Sequence, residues 1–187
     1  MDSLKRRHKL STMRGAALLL LLLACGAASA TEEKISVAAT IGVFVPTSSA
    51  TREKFGNTWL RVSLQTFERE KPTSWRFIAE ASGYKLDGTT KVRLIPLTFG
   101  VEKGLRERLS FQPYVTVRAG PYYGKFEDTS TGVRETHIGL NANAAYGVIY
   151  RHRYYAEVRY DYFTRLAGAN FNGLSLSVGV RLFDIRL

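Results

Sequence analysis

The side chains able to do chemistry here are scattered arginines and carboxylates, two histidines in the body of the chain, and a single cysteine. Glu157-x-Arg159-x-Asp161 is the tightest grouping, because a period of two places all three on one face of one strand. Arg61, Arg76, Glu80, Arg118 and Arg181 occupy the polar phase of other candidate strands. Mixed signs on a shared face fit an internal salt-bridge network. An unpaired ion in a narrow interior costs several kcal/mol, and the planar fork of Arg satisfies several acceptors at once. Catalysis has thinner support. His137 with Glu135 on one strand face is the sole candidate for a base and its orienter, and a satisfied interfacial histidine is the simpler reading. The sequence has no glycine-rich phosphate loop, no histidine-rich metal cluster and no carboxylate pair at catalytic spacing. The expectation is a protein that is not an enzyme and takes no cofactor or metal.

These charges must be positioned by strands. The 187 residues are 45% hydrophobic and 12% aromatic, which suits one folded domain. From Ile35 onward alternation dominates: Ile35, Val37, Ala39, Ile41, Val43 and Val45 share one face of a first strand, and Leu174, Leu176, Val178, Val180 and Leu182 one face of a last. Six more candidates lie near 59–67, 75–84, 91–101, 111–122, 137–150 and 154–164. No helical period is evident, and short connections make an antiparallel meander the simplest topology. At Pro96 the apolar phase of the fourth strand changes, which predicts a bulge there.

The first thirty residues read as an address. Met1–Gly15 is basic, Ala16–Ala24 is an apolar run too short to span a bilayer as a helix, and Ala28-Ser29-Ala30 suits signal peptidase. Residues 1–30 are therefore expected to be a removed signal peptide and 31–187 one barrel domain. Leu22-Leu23-Ala24-Cys25 offers a second route, lipidation at Cys25. This segment holds the only cysteine, so the remainder has no disulfide framework. It also carries five cations against Asp2, +4 of the net +11, and the remaining excess is too thin to imply nucleic acid.

Which face is outside decides the function. The polar face carries small residues, as at Gly139, Asn141, Asn143, Ala145 and Gly147, where a solvated strand would carry long ones. An eight-stranded barrel has an interior just wide enough for side chains. Tyrosines at 122, 123, 160 and 162, and around the turn at 151–153, suit two membrane rims. The fold expected is all-β: an eight-stranded antiparallel up-and-down transmembrane β-barrel preceded by a cleaved signal peptide. The alternative inverts the faces, giving a periplasmic soluble or lipid-anchored lipocalin-like barrel with an apolar ligand against Val178, Val180 and Leu182.

Several phrases carry a resemblance: Gln112-Pro113-Tyr114-Val115-Thr116-Val117-Arg118-Ala119-Gly120, Ala156-Glu157-Val158-Arg159-Tyr160, and the closing Ser177-Val178-Gly179-Val180-Arg181-Leu182-Phe183. Over residues 34–183 the chain resembles the bacterial outer-membrane β-barrel domain superfamily, typified by outer membrane proteins A, X and W. The resemblance implies residence in the cell outer membrane, contact with outer-membrane lipids, and insertion by the barrel assembly machinery through a C-terminal strand ending in an aromatic. Phe183 is that aromatic, one residue short of the usual spacing from Gly179 and followed by four more residues. Lipid A deacylases share the architecture but use a His-x-Ser pair, whereas His137 precedes Ile138-Gly139 and His152 precedes Arg153-Tyr154. With a periplasmic N-terminus the outer loops are 46–58, 85–90, 123–136 and 165–172, where any surface ligand would bind. The function expected is structural or surface-interacting, without an open pore.

Overall fold

The structure is a computed structural model that describes residues 34–68, 75–88, 90–105, 111–166 and 168–186. The expected signal peptide and Cys25 lie outside the described residues. Eight strands follow in order: β1 (Lys34–Pro46), β2 (Trp59–Glu68), β3 (Trp75–Leu86), β4 (Thr90–Gly104), β5 (Phe111–Asp128), β6 (Arg134–Tyr150), β7 (Tyr154–Phe163) and β8 (Gly173–Arg186). Each pairs antiparallel with its sequence neighbour, and β8 closes on β1. The wall is strongly staggered. Directly paired residues run from Tyr114 through Gly147, Glu157, Ser177, Gly42, Arg61, Tyr84 and Leu94, then reach Gly124, ten residues further along β5. Such a shear tilts the strands and sets the bore of the barrel.

The faces fall as the expected orientation requires. Glu157, Arg159 and Asp161 are buried, whereas Leu174, Leu176 and Val178 on the next strand are about half exposed, at 49%, 56% and 56%. A soluble barrel with an apolar ligand inside would need Val178 and Leu182 in the lumen, and both face outward. No helix among the described residues is long and apolar enough to cross a membrane. Closure of the strand ladder satisfies the backbone groups of the wall from within, the condition a membrane-crossing sheet must meet.

Four expectations need correction. First, α1 (Ser49–Phe55) occupies the first outer loop. The Ser48 side chain accepts from the Thr51 N–H at its start, and Thr51 and Phe55, four apart, bury one face. Seven residues are too few to show a period in sequence. Second, β4 has no bulge at Pro96: Ala81 and Tyr84 pair with Leu97 and Leu94 in one unbroken register. The apparent change of phase arises because Val92 and Leu94 are apolar and point inward, into a greasy end of the lumen. Third, the register shift lies instead between β1 and β8. Val37 pairs with Phe183 but Ala38 with Arg181, leaving Leu182 as the extra residue. Leu182 and Phe183 therefore both face outward, which accounts for the short spacing to the aromatic. Fourth, β5 and β6 extend to Asp128 and from Arg134, so the third outer loop shrinks from 123–136 to 129–133.

Candidate functional site

Buried side chains fill the lumen along its length. In the middle, β3 contributes Glu80, wholly buried, and three guanidinium groups converge on it. Arg61 from the adjacent β2 and Arg118 from β5 both pair with it, and Arg159 reaches across from β7, the opposite wall, with Nη1 2.5 Å from Oε2. Ser82 Oγ donates to Glu80 Oε1 at 2.5 Å. Glu157 accepts from Arg118 Nη2 at 2.9 Å and from the Tyr114 hydroxyl at 3.1 Å. Asp161 lies 3.3 Å from Arg159 Nε and accepts from Ser175 Oγ at 3.1 Å. The Tyr84 hydroxyl accepts from Arg159 Nη2 at 2.8 Å and Arg61 Nε at 3.3 Å. Three guanidinium and three carboxylate groups make the cluster neutral, the condition under which burying ions is tolerable.

Six of the eight expected lumen charges thus meet in one network, and two do not. Arg76 is buried but pairs with Glu102 nearer the terminal end. Arg181 is a correction to the expected network: it sits at the terminal mouth, partly exposed, paired with Asp184. Residues three apart would ordinarily lie on opposite faces of a strand. The extra residue Leu182 brings Arg181 and Asp184 to one side, and Asp184 also accepts from Ser36 Oγ at 2.7 Å. Glu102, Tyr84, Tyr114 and Asp184 were not among the expected lumen residues. Glu102 had a signal, since it continues the inward phase of Thr98 and Gly100.

The outer layer is aromatic. Phe44, Trp59, Tyr84, Tyr122 and Phe163 pack with Phe55 of α1 and with Leu166 and Phe171 of the last outer loop. Phe44 and Tyr84 lie edge to face with ring centroids 5.1 Å apart, as do Tyr122 and Phe163 at 5.3 Å. The lid is tied down by Thr51 Oγ1 donating to the Asn170 carbonyl at 2.6 Å and by the Thr47 N–H donating to the Asn172 carbonyl at 2.9 Å. Tyr122 and Tyr155 therefore belong to the interior, contrary to the expected rims, while Tyr123, Tyr154, Tyr160 and Tyr162 face outward.

The small residues of β6 now have a physical reason. Gly147 and Gly139 are directly opposite Tyr114 and Tyr122, and a Cβ on either would overlap the neighbouring ring. His137 and Glu135 lie beyond this packed region and are exposed. No group of three or more His, Cys, Asp or Glu residues suited to a metal occurs among the described residues.

No family model and no curated protein matches the chain. Solved structures do. Neisserial surface protein A superposes with a TM-score of 0.63 at 16% identity, covering 80% of this chain and 96% of that one. Ail, the attachment invasion locus protein of Yersinia pestis, gives 0.53 at 13% identity, covering 81% and 100%. The N-terminal β-barrel domain of Pseudomonas aeruginosa OprF gives 0.51 at 11%, covering 81% and 98%. Strand number, closure, face orientation and these likenesses agree: the chain has the fold of the eight-stranded outer-membrane β-barrels.

Proposed function

We propose that the protein is a small, closed barrel of the bacterial outer membrane, without catalytic activity, that works through the loops at its outer end. One observation carries this reading: apolar side chains clothe the outside of a closed eight-stranded wall while a neutral ion network and an aromatic lid fill the inside. Such a lumen passes no solute, because its bore is occupied by side chains. What remains for interaction is the outer rim, where Glu53, Lys54, Gly56, Asn57 and Thr58 of the first loop and 129–133 of the third are exposed. Two similar proteins are named for the cell surface and for attachment and invasion, and Ail has been crystallised with the heparin analogue sucrose octasulfate. Those names support surface contact as the role here. Insertion by the barrel assembly machinery fits the outward Phe183 on the last strand.

Gel migration and solute flux test this together. The protein extracted from outer membranes should migrate faster unheated than boiled, and proteoliposomes carrying it should not swell in sugar solutions. Release by a carbonate wash would overturn the membrane assignment, and brisk sugar entry would overturn the closed lumen.

A further inference from the structure

At the outer end of β3, β4 and β5 the register places three cations side by side on the outward face: Lys85 opposite Arg93, and Arg93 opposite Lys125. Like charges directly opposed across strands are destabilising, so the row is an unfavourable choice unless something anionic lies against it. Its position says what. One outward-facing step back stand Ile95 on β4 and Tyr123 on β5, with Ile138 of β6 beside Tyr123, 50%, 45% and 74% exposed, which are the last outward-facing apolar residues on β4, β5 and β6 before the outer loops. The cations therefore sit where acyl chains give way to headgroups, and they point sideways toward lipid.

One outward step further along the same strands, Lys91 and Arg134 flank Glu127. Asp87 and Glu127 are the acids on this outward face. Lys85 lies 2.5 Å from Asp87, Lys125 3.5 Å from Glu127, and Arg134 2.9 Å from Glu127. The Lys85 ammonium, hydrogen-bonded to Asp87, holds that carboxyl below its usual range, and Arg93 and Lys91 add to the same field. Five cations against two acids leave a net positive surface, and among the described residues Lys91 and Arg93 form no ion pair.

We infer that the row Lys85, Arg93 and Lys125 binds the phosphate groups of outer-leaflet lipid headgroups. The inference rests on the membrane reading above and adds a site and a ligand class to it. A phosphate accepts charge-assisted hydrogen bonds from Lys and Arg, and long basic stems lie along apolar surface while their heads reach polar groups. A lipid phosphate at this boundary would relieve the like-charge repulsion that the strand pairing imposes.

The test uses the full chain folded into phosphatidylcholine vesicles containing either lipid A or its dephosphorylated form, with bound lipid read by native mass spectrometry after detergent extraction. The wild-type barrel should retain lipid A in preference to the dephosphorylated form. Retention should fall about fivefold in each of Lys85→Gln, Arg93→Gln and Lys125→Gln. Arg153→Gln, at the opposite end, should retain lipid A as wild type does. Equal retention of the two lipids by the wild type, or undiminished preference in the triple variant, would overturn the site. So would tighter binding of soluble sucrose octasulfate than of lipid A at this row, which would make it a saccharide surface. Heat-modifiable migration in pure phosphatidylcholine reports membrane insertion separately, so failure of the lipid site and failure of the membrane reading give different results.

Discussion

Glu80 is the residue on which the lumen turns, since Arg61, Arg118 and Arg159 all address its two oxygens. Replacing it with Gln keeps the volume but leaves three guanidinium groups facing two carboxylates in a dry interior. Removing one partner of a buried ion pair typically costs about 3–5 kcal/mol. Glu80→Gln should lower the stability of the vesicle-folded barrel by an amount in that range, measured by urea titration of its tryptophan emission. Adding Arg118→Met to Glu80→Gln restores the charge balance, so the double variant should lie well above the sum of the two singles. Additive losses would mean that the cluster is not one unit. A second residue-scale prediction concerns the turn between β6 and β7. Arg151 and His152 both have positive φ, at 49° and 54°, and the Arg153 N–H donates to the Tyr150 carbonyl at 3.1 Å. Left-handed backbone costs a residue with a Cβ roughly 1–2 kcal/mol. His152→Gly should accordingly raise the urea midpoint, and an unchanged or lowered midpoint would show that the side chain contributes more than the backbone loses.

Among the elements, the pairing of β5 with β6 exchanges bulk for space: Tyr114 and Tyr122 fill room that Gly147 and Gly139 vacate. Gly147→Ala should destabilise by about 1–3 kcal/mol through overpacking, and Tyr114→Leu in the same chain should recover part of that loss. Partial recovery in the urea titration checks the pairing, and no recovery would count against it. The same elements explain what sequence could and could not disclose. Glu157, Arg159 and Asp161 were legible because β7 alternates through its whole length between the exposed outer face and the buried lumen. Glu102 was missed because the fourth strand was ended at residue 101, with Glu102 placed in the turn. Residues 123–128 of β5 and 134–136 of β6 read as loop because beyond Tyr123 and Ile138 the outward face turns from apolar to charged, as at Lys125, Glu127 and Arg134, and the period of two loses its contrast. Tyr122 and Tyr155 were misplaced for a related reason. A tyrosine has an apolar body and a polar tip, which suits a membrane rim and a packed lumen equally.

For the whole molecule, the closed bore proposed above would rest on two layers in series, the aromatic lid at the outer end and the ion network beneath it. The two layers differ in what holds them. The lid depends on α1 and the last loop, tied to each other by Thr51 and Asn170, whereas the network spans the wall from β3 to β5 and β7 and needs no loop. Replacing residues 49–55 with a Gly-Ser linker should therefore expose the upper lumen without opening a path, and single-channel records in planar bilayers should remain at baseline. Replacing Arg118 and Arg159 with Ala, with the lid intact, should also leave conductance absent, because the rings of Phe44, Tyr84, Tyr122 and Phe163 still obstruct the bore. Only a variant that combines the linker, Arg118→Ala and Arg159→Ala with Ala at Phe44, Tyr84, Tyr122 and Phe163 removes both obstacles. Discrete conductance steps there, with neither parent conducting, would demonstrate two independent seals. Steps in the linker variant alone would show that the ion network admits water and ions, and that the lid by itself keeps the barrel shut.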